Sequence, residues 1–246
     1  MTGKFQTLLS QGRFALIASL PANDPSLAKA AWDNGADAVK IHINVSHRAS
    51  GTHFGSFDEE RPRLEQILGE ARGPVGIVLG AEVDAADKDL EKVVAAGFDF
   101  ISIYAHHGPL RLLDANITKM LAADYSYSSE EIKTLSSLAD IFEASLIAPE
   151  HYREPLSLRD LAAYKNITTF LNIPVVVPTQ KKITPEEAPL LFKAGVNAIM
   201  IGAVSAGKTV EEFGAKTAEF RRAMDIAEKG SAARDPAAKA AGERRC

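Results

Sequence analysis

Residues 38–44, AVKIHIN, set three polar side chains on one parity of an otherwise apolar, mostly β-branched run. Side chains alternate across a strand, so Val39, Ile41 and Ile43 face one way and Lys40, His42 and Asn44 the other. In a parallel barrel the second face is the interior. A lysine there loses its water, which lowers its pKa and makes it a general base or a Schiff-base nucleophile. The structural alternative is a lysine held in an ion pair. Residues 140–147, DIFEASLI, put Glu143 and Ser145 on one parity. If that parity is inward, Glu143 meets Lys40 from across the barrel, either as its acid–base partner or as a buried ion pair without chemistry. His42 reads as a hydrogen-bonding or proton-relay group and Asn44 as a substrate contact. Asp124 ends the fifth strand and Glu82 lies just past the third, each placed to hold a substrate hydroxyl. Tyr104 shares a parity with Ser102 and reaches towards the mouth.

The longest polar loop, VSHRASGTHFGSFDEERP (45–62), follows the second strand. Arg48 suits an anionic group, and Gly51 and Gly55 would let the loop close as a lid; the plain alternative is a mobile surface loop. His42, His47, His53, His106 and His107 lie near strand ends, where zinc or iron finds ligands. Against a metal, the third strand offers no second inward histidine, and Thr179-Gln180 stand where an acid would help. The expectation is no metal and no cofactor.

Residues 173–209 carry a phosphate signal: strand, loop, helix, strand, then GAVSAG (202–207) before a last helix. Small residues expose backbone N–H groups, and in a (β/α)₈ barrel the loops after the seventh and eighth strands form the usual anion site. The expected phosphate ligands are Thr179, Gln180, Lys181, Gly202, Ala203 and Ser205, with Lys182 as an alternative source of charge. A tight turn that only needs glycine is the structural alternative.

These residues need an architecture, and an internal echo supplies it. Segments 30–41, 93–103 and 191–201 each run helix end, glycine, short turn and apolar strand. Gly35, Gly97 and Gly195 fit the position after a helix, where a left-handed backbone favours glycine. Strands are expected at 14–19, 38–44, 75–79, 98–104, 120–124, 141–147, 175–177 and 198–201. Helices are expected at 25–34, 60–71, 86–95, 129–138, 157–171, 185–194 and 210–228, with a weak one at 109–115. The pattern predicts an α/β fold, a single (β/α)₈ TIM barrel over residues 1–228, followed by a flexible C-terminal tail, 229–246.

Composition narrows the function. The 246 residues carry a net charge of -4 and are 46 % hydrophobic, which argues against nucleic-acid partners. The aromatic content of 7 %, with one Trp, disfavours a single-strand stacking surface. No apolar run reaches membrane-spanning length and the start MTGKFQTLLSQGR lacks a signal core, so no membrane partner is expected. The lone cysteine, Cys246, closes no internal disulfide and fits a reducing cytoplasm. A homodimer is the assembly that base rates favour.

In ALIASLPANDPSLAKAAWDNGADAVKI and TPEEAPLLFKAGVNAIMIGAVSAG the chain resembles the ribulose-phosphate-binding barrel superfamily, and within it N-acylglucosamine-6-phosphate 2-epimerases. The resemblance implies phosphate held by the backbone N–H groups of Gly202 and Ala203. The pattern departs on the third strand, Val75-Gly76-Ile77-Val78-Leu79-Gly80, where that family has a lysine, and at Gln180, where it has a glutamate. His42, Asn44 and His53-Phe54 also resemble the second strand of pentulose-phosphate 3-epimerases, with Asn44 at a metal-binding aspartate's place. The expected function is an isomerase, epimerase or lyase acting on a small phosphorylated metabolite next to a carbonyl. The alternatives are a non-catalytic barrel that binds such a ligand and a metal-dependent sugar-phosphate epimerase.

Overall fold

The computed structural model describes residues 3–10 and 12–232. In chain order its strands are β1 (Ala15–Ser19), β2 (Ala38–His42), β3 (Val45–His47), β4 (Thr52–Phe54), β5 (Val75–Val78), β6 (Phe100–Tyr104), β7 (Thr118–Ala123), β8 (Ile141–Ala144), β9 (Val175–Pro178) and β10 (Ala198–Ile201). All but β3 and β4 pair in parallel and close into a barrel in the order β1-β10-β9-β8-β7-β6-β5-β2. β3 and β4 form an antiparallel hairpin above it. Around the barrel lie α2 (Pro25–Asp33), α3 (Phe57–Gly69), α4 (Val83–Ala96), α5 (Ser129–Leu135), α6 (Leu158–Phe170), α7 (Ala188–Lys193) and α9 (Val210–Ala232), with the short α8 (Ala203–Ala206) at the top. The single (β/α)₈ barrel expected from the sequence is the fold observed.

The local chemistry explains the elements. α2 begins where the Asp24 carboxylate accepts from the Ser26 N–H at 2.8 Å, with Pro25 as its first residue. α4 ends at Gly97, whose φ of 86° is left-handed, as are Gly35 and Gly195 in the equivalent turns. Outward-facing strand residues such as Val39, Ile41, Ile77 and Phe142 pack against the helices. Inward-facing Ile17, Ala38, Phe100, Met120, Ile141 and Val176 fill the lower half of the barrel. A further helix, α1 (Lys4–Ser10), plugs the bottom, with the Phe5 ring stacked on Phe100 at 4.0 Å. Gly76 faces the same layer, where any side chain would drive into the Phe100 ring.

Several boundaries differ from expectation. β2 stops at His42, because Asn44 has a φ of 52° and turns the chain out of the strand. The loop over 45–62 holds the β3–β4 hairpin, and α3 starts early at Phe57 because Ser56 and Glu59 form a capping box. The weak helix at 109–115 is a 3₁₀ segment, Leu110–Asp114, preceded by another at Ala105–His107. α7 begins at Ala188 rather than 185, after a turn in which the Glu187 carboxylate accepts from the Thr184 N–H. α9 continues past 228 to Ala232. The rest of the expected tail, with Cys246, lies outside the described residues. No helix among the described residues is long and apolar enough to cross a membrane.

Candidate active site

Above the apolar layer the inward parity turns polar. Ile17 is followed by Ser19, Ala38 by Lys40 and His42, Phe100 by Ser102 and Tyr104, and Ile141 by Glu143 and Ser145. Each of these polar residues lines one cavity of about 360 Å³ at the C-terminal ends of the strands. Active sites of such barrels occupy this face.

Lys40, 5 % exposed, sits on the cavity floor. Its Nζ lies 3.5 Å from Glu143 Oε2 and 3.5 Å from Ser102 Oγ, both long for a hydrogen bond. The carboxylate has closer partners: Ser102 donates to Oε2 at 2.7 Å and Ser145 to Oε1 at 2.9 Å. Hydroxyls therefore satisfy Glu143 and leave Lys40 a loose partner. Burial pushes the Lys40 pKa below the ordinary lysine value, and the nearby Glu143 only partly opposes it.

His42 is 1 % exposed; it stacks on Phe54 at 4.8 Å and meets the tilted ring of His47 at 4.6 Å. Its Nε2 is 3.4 Å from Ser19 Oγ, and among the described residues its buried Nδ1 has no partner. Burial, then His47 and Lys40, hold it neutral far into the acid range. His47 is pulled down to about 4 by burial and by Lys40. Two neutral imidazoles thus flank the amine.

Tyr104, Asp124 and Arg48 also line the cavity. Burial, with Tyr152 and Glu143 nearby, raises the Tyr104 pKa. Other expected site residues are placed elsewhere. Asn44 faces away from the cavity, its amide donating to the Leu79 carbonyl at 3.3 Å and to Asp89 Oδ2 at 3.0 Å. Glu82 heads α4 with its side chain in solvent and outside the cavity lining.

The phosphate loops are also rearranged. Thr179 and Gly202 line the cavity, but the Gly202 N–H already donates to Thr179 Oγ1 at 3.2 Å. Gln180 braces loops: its amide donates to Tyr152 at 2.7 Å and to the Ser145 carbonyl, and accepts from the Ile147 N–H. Lys181 points to the outer wall, where it pairs with Glu154 at 2.8 Å and Asp160 at 3.8 Å. Lys182 is exposed. Ser205 turns inward, its Oγ buried and unpartnered among the described residues. What remains for an anion are the N–H groups of Ala203 and Val204, which lead α8 at the cavity edge and donate to no acceptor among the described residues.

The loop after β2, read from the sequence as a closing lid or else a mobile surface loop, holds a tethered hairpin. Thr52 donates to the Pro21 carbonyl at 2.7 Å, and Phe54 is buried on His42. At the tip Arg153 donates to the Ala49 carbonyl at 2.7 Å, and Lys208 donates to the Ser50 carbonyl. Arg153 and Lys208 carry no local sequence signal for this role. Ser102 does carry one, since it shares the inward parity of Tyr104. Among the described residues no three His, Cys, Asp or Glu side chains converge as a metal-ligand set.

Searches among known proteins bear on the fold. No family model and no curated protein matches the chain. Solved structures do. Thiamine phosphate pyrophosphorylase from Pyrococcus furiosus is 18 % identical with a TM-score of 0.62, covering 89 % of this chain and 98 % of that one. Tryptophan synthase from M. tuberculosis is 14 % identical with a TM-score of 0.67, covering 89 % and 96 %. A native KDPGal structure is 20 % identical with a TM-score of 0.63, covering 87 % and 96 %. The fold is a TIM barrel. At these identities the likeness carries the architecture, and the chemistry must come from this chain's own residues.

Proposed function

We propose that this chain is an enzyme of lyase or isomerase type acting on a small phosphorylated carbonyl compound, with Lys40 as Schiff-base nucleophile and Glu143 as its proton-transfer partner. The observation that carries this reading is a buried lysine on the floor of a cavity, held off the carboxylate it faces. A neutral amine is the reactive form, and burial favours it by pushing the Lys40 pKa below the ordinary lysine value. The phosphate named in one structural neighbour accords with an anion at Ala203 and Val204, with Arg48 above. Phosphate binding would orient the reacting end of the substrate.

In the proposed reaction the Lys40 nitrogen adds to the substrate carbonyl carbon, and a nitrogen proton moves to the new hydroxyl. A proton from solvent water then lets that hydroxyl leave as water, which gives an iminium ion. The bond from the neighbouring carbon to hydrogen, or to carbon, then breaks with its electron pair moving into the iminium. Glu143 accepts the released proton from that carbon, or from the hydroxyl beside a breaking C–C bond. The enamine is reprotonated, and water hydrolyses the imine to return the free amine.

Borohydride trapping tests this. Glyceraldehyde 3-phosphate with borohydride should leave a reduced adduct on the Lys40 peptide, and Lys40→Arg should abolish it. Stabilisation by inorganic phosphate without any Lys40 adduct would instead mark a non-catalytic binder.

A further inference from the structure

We infer that the substrate carries, at the end remote from its phosphate, a flat unsaturated ring with one hydrogen-bond donor rather than a chain of hydroxyls. The inference rests on the carbonyl being held at Lys40, as proposed above. β10, which leads to Ala203 and Val204, and β6, which leads to Tyr104, lie on opposite sides of the closed barrel. The end of the cavity near β6 and β7 is therefore where the rest of the substrate goes.

That end is an aromatic wall. Tyr104 and His106 stack at 5.3 Å and 20°, and His107 meets both edge-on, at 6.0 Å and 4.2 Å. Outside the cavity lining, the Tyr127 hydroxyl lies 3.2 Å from His106 Nδ1 and braces that ring. Apolar Ala81, Ile103, Ala122 and Ile147 line the space beside it. Asp124 Oδ1 is occupied by the Ser126 N–H at 2.9 Å and hydroxyl at 2.6 Å, while Oδ2 accepts nothing among the described residues. Burial opposes the charge on Asp124, but Ser126 and the two histidines more than offset it and hold the carboxyl below its usual range. His107 Nδ1 is buried and unpartnered among the described residues.

A polyhydroxylated chain would bring several donors and acceptors into this space and leave most unmatched, which disfavours it. A flat ring matches the wall by stacking and offers a single donor to Asp124.

The test compares two phosphorylated aldehydes in borohydride trapping on the intact protein: glycolaldehyde phosphate, which has no ring, and pyridoxal 5′-phosphate, which is a flat heteroaromatic. The amine and aldehyde lose water to give an imine, and borohydride delivers hydride to its carbon. Labelling of Lys40 is read by peptide mass and normalised to the exposed Lys88. The ring aldehyde should label Lys40 at a concentration about tenfold lower than the ring-free one. His106→Ala, at an exposed position that tolerates change, and Tyr104→Leu should each cut that advantage about threefold, the size of one stacking contact. Equal labelling of Lys40 by both aldehydes would overturn the ring inference and leave the Lys40 reading standing. Absence of Lys40 labelling by either would overturn both.

Discussion

The lower and upper halves of the barrel interior share the same strands and the same inward parity, yet follow opposite rules. Below, Ile17, Phe100, Met120 and Ile141 interdigitate with a helical plug headed by Phe5. Above, one residue pair further along, the same strands present Ser19, Ser102 and Glu143 around Lys40. The lower layer stabilises the fold by apolar packing. The upper layer places an amine and a carboxylate out of water, 3.5 Å apart, with the carboxylate held more closely by two serine hydroxyls. One half is apolar packing and the other is the polar layer proposed to react, and the boundary between them is a single step along β2, β6 and β8.

The sharpest contrast comes from deleting bulk below and charge above. Phe100→Ala should lower stability by about 3–5 kcal/mol in denaturant unfolding, since it opens a cavity under the plug. The double change Lys40→Met with Glu143→Leu should leave stability equal or raise it by about 1–4 kcal/mol, as replacing buried ion pairs often does, while abolishing the trapped adduct. Substantial destabilisation by the double change would show that the pair holds the fold together and would erase the contrast.

A smaller effect follows from the imidazoles. Above pH 6.5 both folded and unfolded chains hold His42 and His47 neutral. Below it the unfolded chain takes up protons that the folded chain refuses, so stability falls as pH drops from 6.5 towards about 4. His47→Gln should remove on the order of 1–2 kcal/mol of that fall, seen as a flatter melting temperature against pH. Smallest in stability is Arg48→Ala, an exposed change expected to stay within about 0.5 kcal/mol while weakening the thermal shift given by inorganic phosphate. An unchanged shift would remove Arg48 from the anion end.

Periodicity made much of this legible in the sequence. Alternation along 38–42 placed Lys40 and His42 inside, and alternation along 140–147 brought Glu143 to face them. The pattern failed where one backbone torsion decides direction. Asn44 continues the parity of Lys40 on paper, but its φ of 52° sends it to Asp89. The phosphate loops were legible in part: Thr179, Gln180, Gly202 and Ala203 line the cavity, but short turns do not encode that Lys181 turns to Glu154, a partner distant in the chain. The tethers from Arg153 and Lys208 to the hairpin tip join segments far apart in the chain, beyond the reach of local spacing.

The most direct test of the central claim is the pH dependence of Lys40 labelling by glyceraldehyde 3-phosphate and borohydride, read on the Lys40 peptide. The account predicts a rate that rises to a plateau with a midpoint below the ordinary lysine value of 10.5, because burial favours the neutral amine. A midpoint at or above 10.5 would mean that Glu143 holds Lys40 charged and that the pair is structural.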